Sequence, residues 1–271
     1  MIRPRILLFD SGMGGLTVAR AVAAQLPEAH LIYAADNAGF PYGAWEEVAL
    51  TRRIVTVVGE FIARSDPHIV VIACNAATTA ALAKLRETYK LPFVGTVPAI
   101  KPAAALTKSG MISVLATPGT VSREYTQALI RAHAQHCEVF LHGAKQLAEM
   151  AENKLKGHAI DPDVLRHEVA PAFRERGGKR TDVVVLGCTH HPLLLDDIAA
   201  VAPWEVSYID PAPAIARRAA DVLDETALHE LHREVPRPGS ALFTSERGVA
   251  ESLKAYETMG FPIHELVEMP V

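Results

Sequence analysis

Cysteine is scarce: there are three in 271 residues, with no CxxC pair. An odd number so spaced makes no disulfide framework and points to a reducing, cytoplasmic setting. Aromatic residues are few, at 6%, and no apolar run approaches the roughly 18 residues that span a bilayer. Ahead of Asp10 the chain has only four consecutive apolar residues, Ile6 to Phe9, too few for a secretory leader. Positive charge is not in excess either. Lys and Arg number 27 against 31 Asp and Glu, a net charge of −4, and they form no basic stripe. Nucleic acid and anionic membrane are therefore not expected as partners, and a small ligand is. With 49% hydrophobic residues, a chain of this length buries a full core without disulfide or metal staples.

Short β-branched runs at 6–9, 31–34, 69–73, 93–97, 112–116, 139–141, 183–186 and 206–209 read as buried strands. Between them lie helix-length segments at 16–26, 48–63, 78–88, 122–134 and 144–156. This alternation predicts an α/β fold with mainly parallel sheets covered by helices on both faces. In such folds ligands gather at the carboxyl ends of strands. Candidate seams fall at Gly95-Thr96-Val97-Pro98 and Ile209-Asp210-Pro211-Ala212-Pro213, where proline breaks the pattern.

Two strand-to-helix junctions resemble each other. His68 to Ala76 and Thr181 to His190 both run apolar strand, small residue, cysteine, then a hydrogen-bonding residue. They lie about 110 residues apart, the size of a small α/β domain, which suits two related halves. A cysteine at such a junction meets unpaired backbone N–H groups and a helix dipole that favour the thiolate. Cys74 and Cys188 are thus candidate bases or nucleophiles. Cys137 has no such junction behind it and reads as packing. With His133, His136 and His142 it matches no standard zinc spacing, so no metal is expected. The turn Asp10-Ser11-Gly12-Met13-Gly14-Gly15 aims amides and a hydroxyl at an anion, but it is neither a Walker loop nor a dinucleotide fingerprint. Asp10 stands where a carboxylate orients an ammonium or tunes a thiol. Pro41-Tyr42-Gly43 offers a phenol and a backbone donor.

Two thiols with nearby anion-binding groups and no cofactor motif suit proton transfer at a carbon next to a carboxylate, with one base on each face. Taking hydrogen from one face and returning it to the other inverts the centre. Helix-terminus tuning is expected to keep both thiols accessible near neutral pH. This reasoning reaches a racemase or epimerase and goes no further.

The chain resembles the cofactor-independent glutamate racemases of the aspartate/glutamate racemase superfamily. The matching segments are Phe9-Asp10-Ser11-Gly12 with Gly14-Gly15, Pro41-Tyr42-Gly43, Ala73-Cys74-Asn75, Leu115-Ala116-Thr117 with Gly119-Thr120-Val121, Gly187-Cys188-Thr189-His190 with Pro192-Leu193, and Ile209-Asp210-Pro211. Phe243-Thr244 and Met259-Gly260-Phe261 look like the family's carboxy-terminal strand and helix end.

The resemblance implies two pseudo-symmetric three-layer α/β domains, 1–97 plus 210–271 and 98–209, with the active site in the interdomain cleft. It implies that Cys74 takes the α-proton of D-glutamate and Cys188 that of L-glutamate, with Asp10 and His190 assisting. Ser11, Pro41, Tyr42, Gly43, Asn75, Ala76, Thr117, Thr120 and Thr189 would then hold the substrate. No cofactor is implied. D-glutamate would serve peptidoglycan synthesis, in a cytoplasmic enzyme for which a homodimer is plausible. No amino-terminal effector segment is expected ahead of Asp10.

Three departures stand out. Ala76 replaces the family's usual threonine, for which Thr78 or Thr79 would have to compensate. Glu152 is the match for the family's acidic residue in the divergent 141–152 segment. His191 stands where tyrosine is usual and is expected to line the cleft entrance. The alternatives are a relative acting on aspartate or hydantoins, a one-cysteine decarboxylase, against which Cys188 argues, and a non-catalytic amino-acid-binding protein on the same scaffold.

Overall fold

The computed structural model describes residues 4–225 and 238–269; Met1 to Arg3, the start of the stretch read above for a leader, lie outside them. The first half runs β1 (Arg5–Asp10), α1 (Leu16–Gln25), β2 (His30–Ala35), α2 (Glu47–Ser65), β3 (Ile69–Ile72), α3 (Asn75–Thr88) and β4 (Phe93–Gly95). Next come α4 (Ile100–Leu106), β5 (Met111–Ala116), α5 (Pro118–Ser122), α6 (Glu124–His133), β6 (Glu138–Gly143), α7 (Leu147–Leu155) and α8 (Pro162–Val169). The chain continues through β7 (Glu175–Arg176), β8 (Lys179–Arg180), β9 (Val183–Gly187), α9 (Leu195–Val201), β10 (Ser207–Ile209) and α10 (Ala212–Glu225). It closes with β11 (Ser240–Phe243), α11 (Val249–Thr258) and β12 (Ile263–Leu266).

Two parallel sheets carry the fold, in the orders β12-β11-β2-β1-β3-β4 and β10-β9-β5-β6. In the first, Leu8 of β1 pairs between Tyr33 and Val71. In the second, Val114 of β5 pairs between Leu141 and Val185. The central strands are apolar on both faces because both faces are covered. Ile6 and Leu8 pack with Leu16 and Val22 of α1 and Ile215 of α10, whereas Leu7 and Phe9 pack with Ile54 and Phe61 of α2 and Leu85 of α3. The second sheet is layered likewise: Leu115 and Val184 face α7 to α9, and Val114 and Val185 face α4 and α6. Truncating such a fully buried leucine costs about 2–5 kcal/mol.

The expected α/β class with mainly parallel sheets is observed, and all eight expected strands are present. The helices differ more. The expected helix at 122–134 is two, α5 and α6, parted by Arg123 in an extended conformation (φ −76°, ψ 142°). The helix expected from 78 begins at Asn75, with Cys74 as its N-cap. Periodicity does not reveal α4 or α8 to α10, which are short or alanine-rich, nor the β7–β8 hairpin turned by Gly177 and Gly178 at positive φ. Phe243 ends β11, and Gly260 at φ +94° turns the chain after α11.

Candidate active site

Four strands deliver the site from their carboxyl ends: β1 ends in Asp10, while Cys74, Thr117 and Cys188 lie just beyond β3, β5 and β9. Ser11, Pro41, Tyr42, Gly43, Cys74, Asn75 and Ala76 line one cavity with Thr117, Thr120, Cys188, Thr189 and His190. Every substrate-holding residue expected from the sequence is among them. Phe40 and Ala148 complete the wall. The free space is about 20 Å³, the room of about one water. An outer cleft of about 480 Å³ adjoins it, sharing Phe40 and Pro41 and reaching Glu152 and Lys156. An amino acid enters the inner cavity only when its walls part.

The glycine turn behaves differently from expectation. Its amides face protein groups: Gly12 N–H donates to Asp10 Oδ1 at 2.9 Å and Met13 N–H to Glu152 Oε1 at 2.9 Å. Close approach explains the glycines, since a Cβ on Gly12 would stand 2.0 Å from Glu152 Oε1 and one on Gly14 2.4 Å from His190 Nδ1. Thr189 Oγ1 donates to Asp10 Oδ2 at 2.9 Å, stitching the two sheets together. Burial raises the Asp10 pKa above its ordinary value, against the pull of His190 and these hydrogen bonds.

The two thiols sit in different surroundings. Cys74 caps α3 and lies 3.9 Å from the Ser11 hydroxyl. Burial, then the Asp10 charge, push its pKa up, although the Ala77 amide at the head of α3 pulls the other way. The helix terminus therefore does not bring this thiol near neutrality, because desolvation outweighs it. Cys188 has no helix start behind it: a 3-10 turn, His191–Leu194, comes next, and α9 begins only at Leu195. Its neighbour is His190, whose Nδ1 is 3.7 Å from the sulfur. His190 is buried beside Phe40, with ring centroids 5.4 Å apart and planes tilted by 46°. Burial depresses its pKa, but Cys188, Glu152 and Asp10 together carry it well above the ordinary histidine value. Glu152 Oε1 stands 3.2 Å from His190 Nε2, as does the Gly14 amide. A protonated Nε2 donates to Glu152; a bare one accepts from Gly14. Burial raises the Glu152 pKa, but His190, the Met13 amide and Lys156 outweigh it and hold the carboxyl below its usual range.

Two other expectations, those for His191 and for the threonines near Ala76, need correction. His191 does not line the cleft entrance: it is fully buried, Nδ1–H donates to Leu115 O at 3.0 Å, and burial depresses its pKa to about 3. Neither threonine replaces the one absent at Ala76. Thr78 Oγ1 donates to Ile72 O and accepts from Thr96 N–H, while Thr79 Oγ1 is tied to Asn75 O and Arg123. The Tyr42 phenol is committed to Asp36 Oδ2 at 2.5 Å. His136 and His142 are bound to separate carbonyls, Ala104 and Glu168, and Cys137 Sγ lies 4.0 Å from Ala104 O.

Some residues that brace the site gave no sequence signal. Asp36 is buried and also takes two Arg53 nitrogens, Nε and Nη2, at 2.6 Å and Thr244 Oγ1 at 2.7 Å, fastening the Pro41-Tyr42-Gly43 turn to the end of β11. Arg123 is buried against α3. Asn75 is the opposite case: both its amide atoms are buried without a hydrogen-bond partner, on the wall of the cavity. Facing the cavity, these two atoms are free to bond a ligand or a water.

Comparison with known proteins agrees with this fold. The Asp/Glu/Hydantoin racemase family matches residues 16–219. Glutamate racemase from Brucella ovis is 55% identical over 219 residues, 80% of this chain and 79% of that one. Glutamate racemase from Sinorhizobium medicae is 52% identical over 242 residues, 89% and 88% of the two chains. The crystal structure of Escherichia coli glutamate racemase with L-glutamate and the activator UDP-MurNAc-Ala superposes with a TM-score of 0.89, at 38% identity and full coverage of both chains. The chain belongs to the Asp/Glu/Hydantoin racemase family and is an isomerase, an amino-acid racemase.

Proposed function

We propose that the chain interconverts L- and D-glutamate by proton transfer between two thiols, without a cofactor, and that its D-glutamate feeds peptidoglycan synthesis. The observation that carries this reading is that Cys74, from the first sheet, and Cys188, from the second, line one small cavity with the unpartnered Asn75 amide. Starting from D-glutamate, the Cys74 thiolate forms an S–H bond as the Cα–H bond breaks. The electron pair moves onto the α-carboxylate. The Cys188 S–H bond then breaks as its proton bonds to Cα on the other face, leaving Cys74 as thiol and Cys188 as thiolate. That state is the starting point for L-glutamate, so the reverse reaction needs no reset.

The α-hydrogen is weakly acidic, so a strong base suits the task as long as its thiolate is still populated at the working pH. Burial and Asp10 strengthen Cys74 as a base, and the charged His190 holds the Cys188 thiolate. We assign one lobe to residues 1–97 plus 210–271 and the other to 98–209. The way the two sheets draw their strands supports this division. No helix among the described residues is long and apolar enough to cross a membrane.

Incubating the protein with either enantiomer in deuterated water is expected to give inversion with deuterium at Cα, read by proton NMR and circular dichroism. No exchange from either enantiomer refutes the reading. Cys74→Ala and Cys188→Ala are each expected to cost about 10²–10⁴-fold in racemisation. Full activity in either variant refutes the two-base assignment.

A further inference from the structure

We infer that Arg123 is a positioning residue for Cys74: it reaches from between α5 and α6 onto the first turns of α3, the helix that Cys74 caps, and sets a fixed positive charge at the carbonyl of Ala76, two residues beyond that thiol. The inference rests on the two-thiol reading above.

The guanidinium is buried, with only 4% of the side chain exposed. Nη1 donates to Ala76 O at 3.1 Å and to Thr79 Oγ1 at 3.0 Å, both neutral acceptors on α3. Its one anionic contact among the described residues, Glu47 Oε2 at 3.7 Å, comes from a side chain that is 58% exposed and so compensates little. A buried cation held by neutral acceptors is costly. Burial accordingly pulls the Arg123 pKa down, and the groups that support its charge are Glu47 and Cys74. Arginine does not deprotonate, so it acts as a permanent charge and not as an acid.

The setting of Cys74 shows why such a charge matters. Asp10 on β1 and Cys188 across the cavity disfavour its thiolate, and ionised Tyr33 or Tyr42 would repel it. The Ser11 hydroxyl and the Ala77 amide favour it without a full charge. Cys188 has a cation of its own in His190 at 3.7 Å. Arg123 is the counterpart for Cys74, held on the first turns of the helix that this thiol caps, and both cations are drawn from the second-sheet segment of the chain.

The test measures the alkylation rate of each thiol with iodoacetamide against pH, with labelled peptides separated from that of Cys137 by mass spectrometry. Cys74 is monitored in a Cys188→Ala background and Cys188 in a Cys74→Ala background. Arg123→Gln is expected to slow Cys74 alkylation about tenfold below its midpoint, the equivalent of one pH unit. Cys188 is expected to stay within twofold of its own control. Arg123→Lys, which keeps the charge, is expected to recover most of the Cys74 rate. No change at Cys74, or equal slowing at both thiols as general loosening produces, overturns the inference. If Arg123→Gln does not fold, Glu47→Gln replaces it. Relieving the exposed counter-charge is expected to speed Cys74 alkylation about twofold, and an unchanged rate overturns the inference. Full racemase activity in Cys74→Ala sinks the two-thiol reading whatever Arg123 does. An inactive Cys74→Ala with an unshifted thiol in Arg123→Gln sinks only the role of Arg123.

Discussion

Replacing Glu152 by glutamine keeps the shape of the side chain and removes its charge. In the native protein Glu152 Oε1 accepts the Met13 N–H and faces His190 Nε2 at 3.2 Å, with only 14% of the side chain exposed. A glutamine carbonyl can still accept from Met13, so the loss falls on the charged contact to His190. A hydrogen bond to a charged group contributes about 1.5–3 kcal/mol, which corresponds to roughly 10- to 150-fold in an equilibrium.

The pH dependence has a definite sign. His190 has a raised pKa, so its share of stability is complete below the ordinary 6.5 and fades as pH rises through the folded value. Glu152 has a lowered pKa, so its share is complete above the ordinary 4.5 and fades as pH falls through the folded value. The stability gap between native and Glu152→Gln protein is therefore expected to be widest from about pH 4.5 to 6.5 and to narrow on both sides. In kinetics, the alkaline limb of kcat/KM is expected to move to lower pH, because His190 gives up its proton sooner. Urea denaturation across pH and racemisation monitored by circular dichroism measure the two effects. A stability gap that is flat with pH, or an alkaline limb that does not move, refutes the pairing of Glu152 with charged His190.

Asn75→Ala removes two buried amide atoms that have no partner, so the free protein is expected to melt no lower while KM for glutamate rises about tenfold; a lower melting temperature with unchanged KM contradicts this. His191 is neutral when folded, with a pKa of about 3, and takes up a proton near 6.5 when unfolded. It therefore lowers stability by roughly 1.4 kcal/mol per unit as pH falls between those values. His191→Asn keeps a donor for Leu115 O and does not titrate. It is expected to flatten that acid slope by one proton's worth in urea denaturation, and an unaltered slope contradicts the assignment.

Much of the fold is legible because its signals are local. Runs such as Ile69–Ile72 and Val183–Gly187 are apolar without alternation, as strands covered on both faces must be, and each reads within two residues of its observed ends. The paired cysteine junctions lead to the cavity for the same reason: the residues just past the end of a parallel strand lie at the ligand-binding edge of the sheet. Charge and hydrogen-bond partners are not legible in this way. His191 looks like a cleft residue because it adjoins His190, yet the turn after β9 points one ring into the cavity and buries the other against Leu115. Arg123 reads as an ordinary helix residue until the break between α5 and α6 swings it onto α3.

Residue order alone determined the parallel α/β class, the position of both thiols at strand ends and the set of small polar residues around them, since hydrophobic period and junction chemistry are properties of neighbouring residues. Only the tertiary structure decided which groups share a proton or a charge. Glu152 meets His190, Thr189 meets Asp10 and Arg123 meets the helix of Cys74 across separations of 38 to 179 positions along the chain. It also decided that burial, and not the helix terminus, governs Cys74, because desolvation depends on everything packed around a group.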